Sequence, residues 1–142
     1  MIEITNDRSR IDVDRVHAWL TTAYWSVGIP RDVVARAMDR SLCFAAFVNG
    51  AQVGYARVVT DSTTYAYLCD VFVDEAHRGK GVGKALIAAV MAHPELRDVR
   101  RMGLVTHDAQ ALYQPFGFGA LASPGRHMEL VRPTAYAEPP HA

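Results

Sequence analysis

The sequence contains the stretch Arg78-Gly79-Lys80-Gly81-Val82-Gly83, which stands between two segments whose hydrophobic patterns differ. The segment before it, Thr64 to Val73, is rich in aromatic and β-branched residues, which favour β-strands. From Val82 onward the apolar residues recur at helical spacing, until Pro94 ends the pattern. We therefore predict that this stretch joins a strand to the first turn of a helix.

This glycine-rich loop has the properties of an anion site. Backbone N–H groups at a helix N-terminus lack intrahelical partners, and the helix dipole places partial positive charge there. Arg78 and Lys80 add formal charge. The Gly-Lys-Ser/Thr ending of a nucleotide-triphosphate loop is missing, and Lys84 stands where a dinucleotide loop has glycine. A plain turn with solvated charges remains the alternative, so the loop alone does not fix a function.

The chain before the loop predicts one strand, two helices and then a three-stranded meander. Asn49-Gly50 is a strong signal for a two-residue hairpin, and Asp61 to Thr63 provides the next turn. The predicted strands in this part are Met1 to Thr5, Leu42 to Val48 and Gln52 to Thr60. The two predicted helices lie between the first two of these strands and begin at Asp12 or Asp14 and at Pro30.

The chain after the loop predicts a strand, a short helix and a last strand. These cover Arg101 to Thr106, the apolar positions from Ala109 to Phe116, and His127 to Val131. This order of elements predicts an α+β (mixed α/β) fold, because strands and helices do not alternate strictly. Residues 1–133 are expected to form a single domain, and residues 134–142 a loose C-terminal tail.

Composition restricts the partners. The chain has 142 residues and a mass of 15.6 kDa, and its fifteen basic residues balance fifteen acidic ones. A nucleic-acid binder or a protein of anionic membranes usually carries a basic surface, so we expect neither partner. Half of the residues are hydrophobic, which is typical of globular proteins.

Cysteine and histidine positions give no sign of metal or disulfides. Cys43 and Cys69 each lie in an apolar run, where a thiol behaves as a small hydrophobe. The histidines lack the spacing of a metal-ligand set. The first twenty residues hold no uninterrupted apolar segment that could act as a signal peptide or membrane span. We therefore expect a cytoplasmic protein without a bound metal.

Two motifs in order resemble a known family. Arg78, Gly81 and Gly83 match the Arg/Gln-x-x-Gly-x-Gly/Ala signature of the Gcn5-related N-acetyltransferases (GNAT), which lies between the fourth strand and the third helix. Downstream, Asp108 to Phe118 resembles the family's Ala-x-x-Leu-Tyr-x-x-x-Gly-Phe segment. The resemblance covers roughly residues 1–132, and Ala23 to Pro30 is similar to an uncharacterised subgroup of small single-domain members.

The resemblance implies a fold and a reaction. The fold is a mostly antiparallel twisted sheet of six to seven strands flanked by about four helices. The reaction is transfer of an acetyl group from acetyl-CoA, as donor substrate, to a primary amine of a small molecule by direct attack. A peptide or protein amine is the alternative acceptor, and a non-catalytic CoA-binding sensor is the alternative function. Whether the protein forms a homodimer stays open. The implied acetyl-CoA contacts are Val71, Phe72, Val73, Arg78, Gly79, Lys80, Gly81, Val82, Gly83, Lys84, Thr106, Ala109 and Leu112.

Tyr113 matches the tyrosine that serves as general acid in the family. A phenol with a pKa of about 10 stays protonated at neutral pH and can donate to a thiolate whose conjugate acid has a pKa of about 8.5. The competing interpretation is a core aromatic, since Tyr113 shares its apolar face with Leu112 and Phe116. Pro115 can end this helix early and redirect the phenol.

Asp70 is the first candidate for a catalytic carboxylate. Strict alternation places it on one face with Ala66, Leu68 and Phe72, where a carboxylate needs a partner. It is therefore either an acceptor-site residue or half of a structural pair with Arg57, and a β-bulge would change its face. Backbone N–H groups around Val71 to Val73 are the family's means of stabilising the oxyanion.

The acceptor site is expected where the first two helices join, because this region lines the acceptor pocket in proteins of this fold. The predicted substrate-binding residues are Tyr24, Trp25, Ser26 and Arg57. The competing interpretation of the aromatic residues is that they belong to the core. Glu75 and His107 are reserve candidates for the base, and a route through water is the alternative.

Overall fold

The computed structural model describes residues 1–132 and residue 136. The chain forms one sheet in which the strands lie in sequence order, and every pair is antiparallel except the last, which is parallel. Neighbours in the chain are therefore neighbours in the sheet. The strands are β1 (Ile2–Thr5), β2 (Leu42–Val48), β3 (Ala51–Thr60), β4 (Tyr65–Val73) and β5 (Arg101–Leu104).

Local signals set the ends of the helices. The side chain of Asp12 accepts hydrogen bonds from the backbone N–H groups of Asp14 and Arg15, which caps the first helix. Pro30 precedes the second helix, and the third ends before Pro94. The helices are α1 (Val13–Leu20), α2 (Arg31–Asp39), α3 (Val82–Ala92) and α4 (Gln110–Tyr113).

The sheet carries a hydrophobic core on each face. On one face α3 buries Leu86 and Val90 against the sheet, and on the other α1 and α2 bury Val16 and Met38. Gly54 of β3 permits the close approach of α3, because a Cβ at this position would lie 3.0 Å from Cδ1 of Leu86 and 3.1 Å from Cγ1 of Val82. The core therefore fixes the start of α3 close to β3 and β4.

The number of strands is lower than expected from the sequence. The described residues form five strands, and the predicted strand His127 to Val131 pairs with none of them. An alternating pattern makes a strand only where a free sheet edge is within reach, and these side chains are exposed instead. The predicted strand at Arg101 also ends earlier, at Leu104. The segment 134–142, which the sequence predicts to be a loose tail, lies outside the described residues apart from Tyr136.

Candidate functional site

A cleft opens where β4 and β5 separate. The two strands pair only from Tyr65 to Leu68 with Arg101 to Leu104, so the second half of β4 has no strand on that side. The cleft has a volume of about 590 Å³. Its lining residues are Tyr24, Trp25, Tyr67, Leu68, Cys69, Asp70, Val71, Phe72, Val73, Arg78, Gly83, Leu104, Val105, Thr106, Asp108, Ala109, Leu112 and Tyr113.

A β-bulge at Asp70 shapes the floor of this cleft. The register between β3 and β4 shifts here, and Asp70 has a left-handed backbone with φ of 54°. Because of the extra residue, Leu68 packs under α3 whereas Phe72 packs with the α1 and α2 core. The expectation of strict alternation was wrong: Asp70 lies on the side of Phe72 and not on that of Ala66 and Leu68.

The free edge of β4 presents backbone donors to the cleft. The N–H of Asp74 donates to the carbonyl of Val53 on β3 at 2.8 Å. Since amides of alternate residues point to the same edge of a strand, the N–H groups of Val71 and Val73 point to the opposite edge, into the cleft. Nε of Arg78 donates to the carbonyl of Val73 at 3.0 Å on that same edge.

The glycine-rich loop leaves the start of α3 open. Gly79 and Gly81 have φ of 75° and 85°, and a Cβ at either position would meet nothing within 4 Å, so the backbone conformation is what requires glycine. Gly81 is the N-cap of α3 and no side chain caps the helix. Lys80 and Lys84 are exposed beside these free N–H groups, whereas Val82 is buried in the core.

Tyr113 stands at the end of α4 and lines the cleft. The residue is only 8% exposed, so most of its side chain is packed against its neighbours. Burial raises the pKa of Tyr113 above its ordinary value, and the nearby Tyr24 adds to the effect. As expected, Pro115 ends the helix early: α4 stops at Tyr113 and a 3₁₀ turn, Gln114–Phe116, follows.

Asp70 is held on both carboxylate oxygens. Oδ2 accepts from Nε of Arg57 at 2.8 Å, and Oδ1 accepts from Nε1 of Trp25 at 3.0 Å. The side chains of Arg57 and Asp70 are 20% and 12% exposed, and Nη1 of Arg57 donates to Oγ of Ser41 at 3.1 Å. The pairing with Arg57 is the second of the two expected roles. Both carboxylate oxygens are engaged by side-chain donors, so the geometry favours the structural pair.

The α1–α2 loop contributes Tyr24 and Trp25 to the wall of the cleft. Tyr24 and Trp25 meet edge to face with ring centroids 5.0 Å apart, and the Tyr24 hydroxyl accepts from the backbone N–H of His107 at 3.2 Å. Together with the bond from Trp25 to Asp70, this ties the loop to both sides of the cleft. A smaller cavity of about 420 Å³ lies beside Trp25 and is bordered by Asp74, Glu75 and Arg78, among others.

Several predicted residues do not line the main cleft. Ser26 is buried and donates to the carbonyl of Leu20 at 2.7 Å, away from the cleft, and Arg57 lies behind Asp70. Arg78 and Gly83 line the cleft, whereas the other predicted residues around the start of α3 lie outside the lining, namely Gly79, Lys80, Gly81, Val82 and Lys84. Within residues 1–132 and 136, no three His, Cys, Asp or Glu side chains are grouped as metal ligands.

Sequence reasoning missed part of the lining. The missed residues are Tyr67, Leu68, Cys69, Leu104, Val105 and Asp108. They line the cleft because β4 and β5 separate after Leu68, and a pattern of apolar residues carries no sign of that separation. Burial raises the pKa of Cys69 to about 12, so this thiol stays protonated and is not a nucleophile at neutral pH. None of the described helices is long and apolar enough to cross a membrane.

Comparisons with known proteins found several acetyltransferases that are similar to this chain. A crystal structure of a Xanthomonas campestris pv. campestris protein assigned to the GNAT acetyltransferases is 45% identical, with a TM-score of 0.94 over 97% of this chain and 98% of that chain. A Gibberella zeae protein assigned to the acetyltransferases is 28% identical over 134 residues, covering 78% of this chain and 74% of the relative. A Clostridium acetobutylicum protein crystallised with acetyl-CoA shares the fold, with a TM-score of 0.68 and 15% identity over 92% and 96% of the chains.

The family assignment rests on the match to a family model. The model described as the acetyltransferase (GNAT) family matches residues 9–118, which include α1, the glycine-rich loop, the cleft and Tyr113. This segment is more than half of the chain and contains both motifs. The chain therefore belongs to the GNAT family of acetyltransferases and is an acyltransferase.

Proposed function

We propose that this protein transfers the acetyl group of acetyl-CoA to a primary amine of a small molecule. The observation that carries the proposal is the meeting of three features in one cleft: the free edge of β4, the start of α3 at Gly83, and the phenol of Tyr113. Each feature matches one requirement of acyl transfer, namely donor binding, stabilisation of an oxyanion and protonation of a leaving group.

The donor is expected to lie along the free edge of β4 and to end at the glycine-rich loop. Free N–H groups at the start of α3 and the exposed Lys80 and Lys84 suit a pyrophosphate. Arg78, Gly79, Gly81, Val82 and Gly83 would contribute chiefly through their backbone. The proposed contacts along the rest of the cleft are Val71, Phe72, Val73, Thr106, Ala109 and Leu112.

Acetyl-CoA supplies a thioester whose carbonyl carbon accepts an amine and whose sulfur leaves as a thiolate. The N–H groups of Val71 and Val73 face the cleft and can donate to the oxygen on which negative charge develops. Tyr113 is the proposed proton donor to the sulfur. Because burial raises its pKa, the phenol stays protonated over the whole neutral range and can donate.

The acceptor is expected between the free edge of β4 and the aromatic wall formed by Tyr24 and Trp25. The cleft of about 590 Å³ falls within the range of about 300–1,000 Å³ that is typical of small-molecule sites, and the proposed donor occupies part of it, so a small amine is the acceptor that we propose. Asp70 fixes Trp25 and so shapes this wall. The amine proton would then leave through water, because the Asp70 carboxylate is already engaged.

The test measures release of the CoA thiol over a panel of small amines and lysine peptides. Tyr113→Phe should lower kcat by about 10²–10⁴ on the best amine, the usual effect of a general acid, with little change in the Kd of acetyl-CoA. Tyr65→Phe is the matched control, since Tyr65 does not line the cleft, and it should retain activity.

Three results would each contradict a different part of the proposal. Equal turnover by Tyr113→Phe would remove the assigned acid. Turnover on lysine peptides alone would replace the small acceptor by a peptide amine. Binding of acetyl-CoA without turnover on any amine would favour a CoA-binding sensor.

A further inference from the structure

A side cavity, defined here as the space of about 420 Å³ beside Trp25, adjoins the cleft. Tyr24, Trp25, Phe72 and Arg78 border both spaces. Trp25 is held in place at this boundary, because its indole N–H donates to Asp70 at 3.0 Å. A molecule that extends past Trp25 can therefore occupy the cleft with one end and the side cavity with the other.

The side cavity lies on the α1 side of the sheet. Trp19 belongs to α1, and Thr22 and Ala23, which follow this helix, also border the cavity. The third helix, α3, packs on the opposite face of the sheet, and the pyrophosphate of the donor is expected at its start. The position of the side cavity therefore suits the acceptor and not the donor.

Aromatic rings form much of the wall of the side cavity. The rings of Trp19 and Phe72 are stacked, with centroids 5.4 Å apart and planes 17° from parallel, and the ring of Trp25 is tilted with its centroid 6.5 Å from that of Phe72. The guanidinium carbon of Arg78 lies 5.3 Å from the centroid of Phe72. Aromatic groups bind further aromatic groups in stacked or edge-to-face arrangements, so this wall favours a flat ring.

The charges around the side cavity balance. Asp74, Glu75 and Arg78 border it. Nη2 of Arg15 lies 3.9 Å from Oδ1 of Asp74, and Nδ1 of His77 lies 3.2 Å from Oδ2 of the same carboxylate. Two carboxylates thus stand beside two guanidinium groups. A second charge on the acceptor would lose water without gaining an uncompensated partner, so an uncharged group fits these surroundings best.

We propose that the acceptor is an amine carried by an uncharged aromatic body, with the amine in the cleft and the aromatic ring in the side cavity. This inference rests on the proposed acetyl transfer and names the class of its acceptor. Burial of the ring should raise kcat/KM about 10–100-fold over that of the same amine without a ring.

The first test compares phenylalkylamines with alkylamines of the same chain length in the assay of CoA release. The best phenylalkylamine should show the expected gain over its matched alkylamine, and it should exceed diamines and amino carboxylic acids of the same length. Thr22→Phe fills the side cavity from an exposed position and should remove the gain. Thr22→Val removes the hydroxyl that donates to the carbonyl of Trp19 without adding bulk, so this matched control should keep the gain.

A second measurement detects binding without turnover. The chain has two tryptophans, Trp19 and Trp25, and both border the side cavity, so tryptophan emission reports on an occupant. The best phenylalkylamine should change this emission in a saturable manner, at concentrations well below those that its matched alkylamine requires. Thr22→Phe should abolish this difference, and Thr22→Val should keep it.

The outcomes separate the aromatic acceptor from the proposed acetyl transfer. Turnover of alkylamines, diamines or amino carboxylic acids that equals or exceeds that of the phenylalkylamines would overturn the aromatic acceptor and leave acetyl transfer standing. A gain that survives Thr22→Phe would overturn the place assigned to the ring. Binding of the ring without turnover of any amine would contradict acetyl transfer and support the side cavity as an aromatic site. The absence of both binding and turnover would overturn both proposals.

Discussion

The most direct test of the site is removal of the charge on Asp70. Asparagine has the same shape and tolerates the left-handed backbone, with φ of 54°, that this bulge residue adopts. Alanine would add a backbone cost of roughly 1–2 kcal/mol to the loss of the ion pair. Asp70→Asn therefore reports on the interaction with Arg57, while the amide oxygen can still accept from Trp25.

The expected cost follows from the depth of the pair. Losing one partner of a fully buried ion pair costs about 3–5 kcal/mol, and losing an exposed pair about 0–1 kcal/mol. Arg57 and Asp70 are 20% and 12% exposed and 2.8 Å apart, and Arg57 keeps its bond to Ser41. We expect about 2 kcal/mol. With an unfolding entropy of about 2.1 cal/mol/K per residue, this lowers the Tm by about 7 °C.

The assay is a double-mutant cycle in thermal and urea unfolding with Asp70→Asn, Arg57→Met and both together. The double variant should lose about 1–2 kcal/mol less than the sum of the single losses, because the second change removes the group that the first leaves unpaired. Asp32→Asn is the control, because the side chains of its i,i+4 pair are exposed, Arg36 to 71% and Asp32 to 77%. It should lower the free energy of unfolding by less than about 0.5 kcal/mol. Additivity within about 0.5 kcal/mol would refute the coupling.

Three further predictions concern the loop, the phenol and a turn. Gly81→Asp should abolish CoA binding in calorimetry without unfolding the domain, whereas Gly50→Asp, at a similar φ of 80°, should keep it; retained binding in Gly81→Asp would remove the loop from the donor site. Because burial raises the pKa of Tyr113, loss of its proton should not lower kcat as the pH is raised to about 10. A decrease of kcat at a lower pH that is absent in Tyr113→Phe would contradict the assignment. Thr64 and neighbouring backbone N–H groups lower the pKa of Asp61, so the stability it provides is present above pH of about 4 and is lost as the pH falls further; Asp61→Ala should lower the Tm at pH 7 and weaken this acid dependence in melting curves, and an unchanged dependence would refute it.

Elements specified by neighbouring residues were predictable from the sequence. Asn49 and Gly50 both have positive φ, at 51° and 80°, as the two-residue hairpin requires. Asp12, one of the two residues expected to open the first helix, caps α1. The start of α3 at Val82 follows from the glycine-rich loop. In each case a few adjacent residues decide the conformation, so one sequence is enough.

Features that depend on a distant partner were not predictable. The alternation of β4 continues through Asp70, and the bulge is visible only when β3 is placed beside it. The separation of β4 and β5 after Leu68 has no local sign either, so Tyr67 and Val105 were missed as lining residues. The alternating residues from His127 to Val131 predicted a strand, but among the described residues they pair with no strand of the sheet.

The donor side and the acceptor side of the cleft are built differently. This difference explains why the sequence predicts the donor but not the acceptor. The proposed donor side uses the backbone of β4 and α3, and a free helix start needs glycines that leave a recognisable motif. The proposed acceptor side uses Tyr24 and Trp25 on a loop, tied down by single hydrogen bonds to His107 and Asp70. Loop side chains can change without disturbing the sheet. The acceptor can therefore differ among proteins that keep the same donor motif, and we expect the side chains of Tyr24 and Trp25 to determine it in this protein.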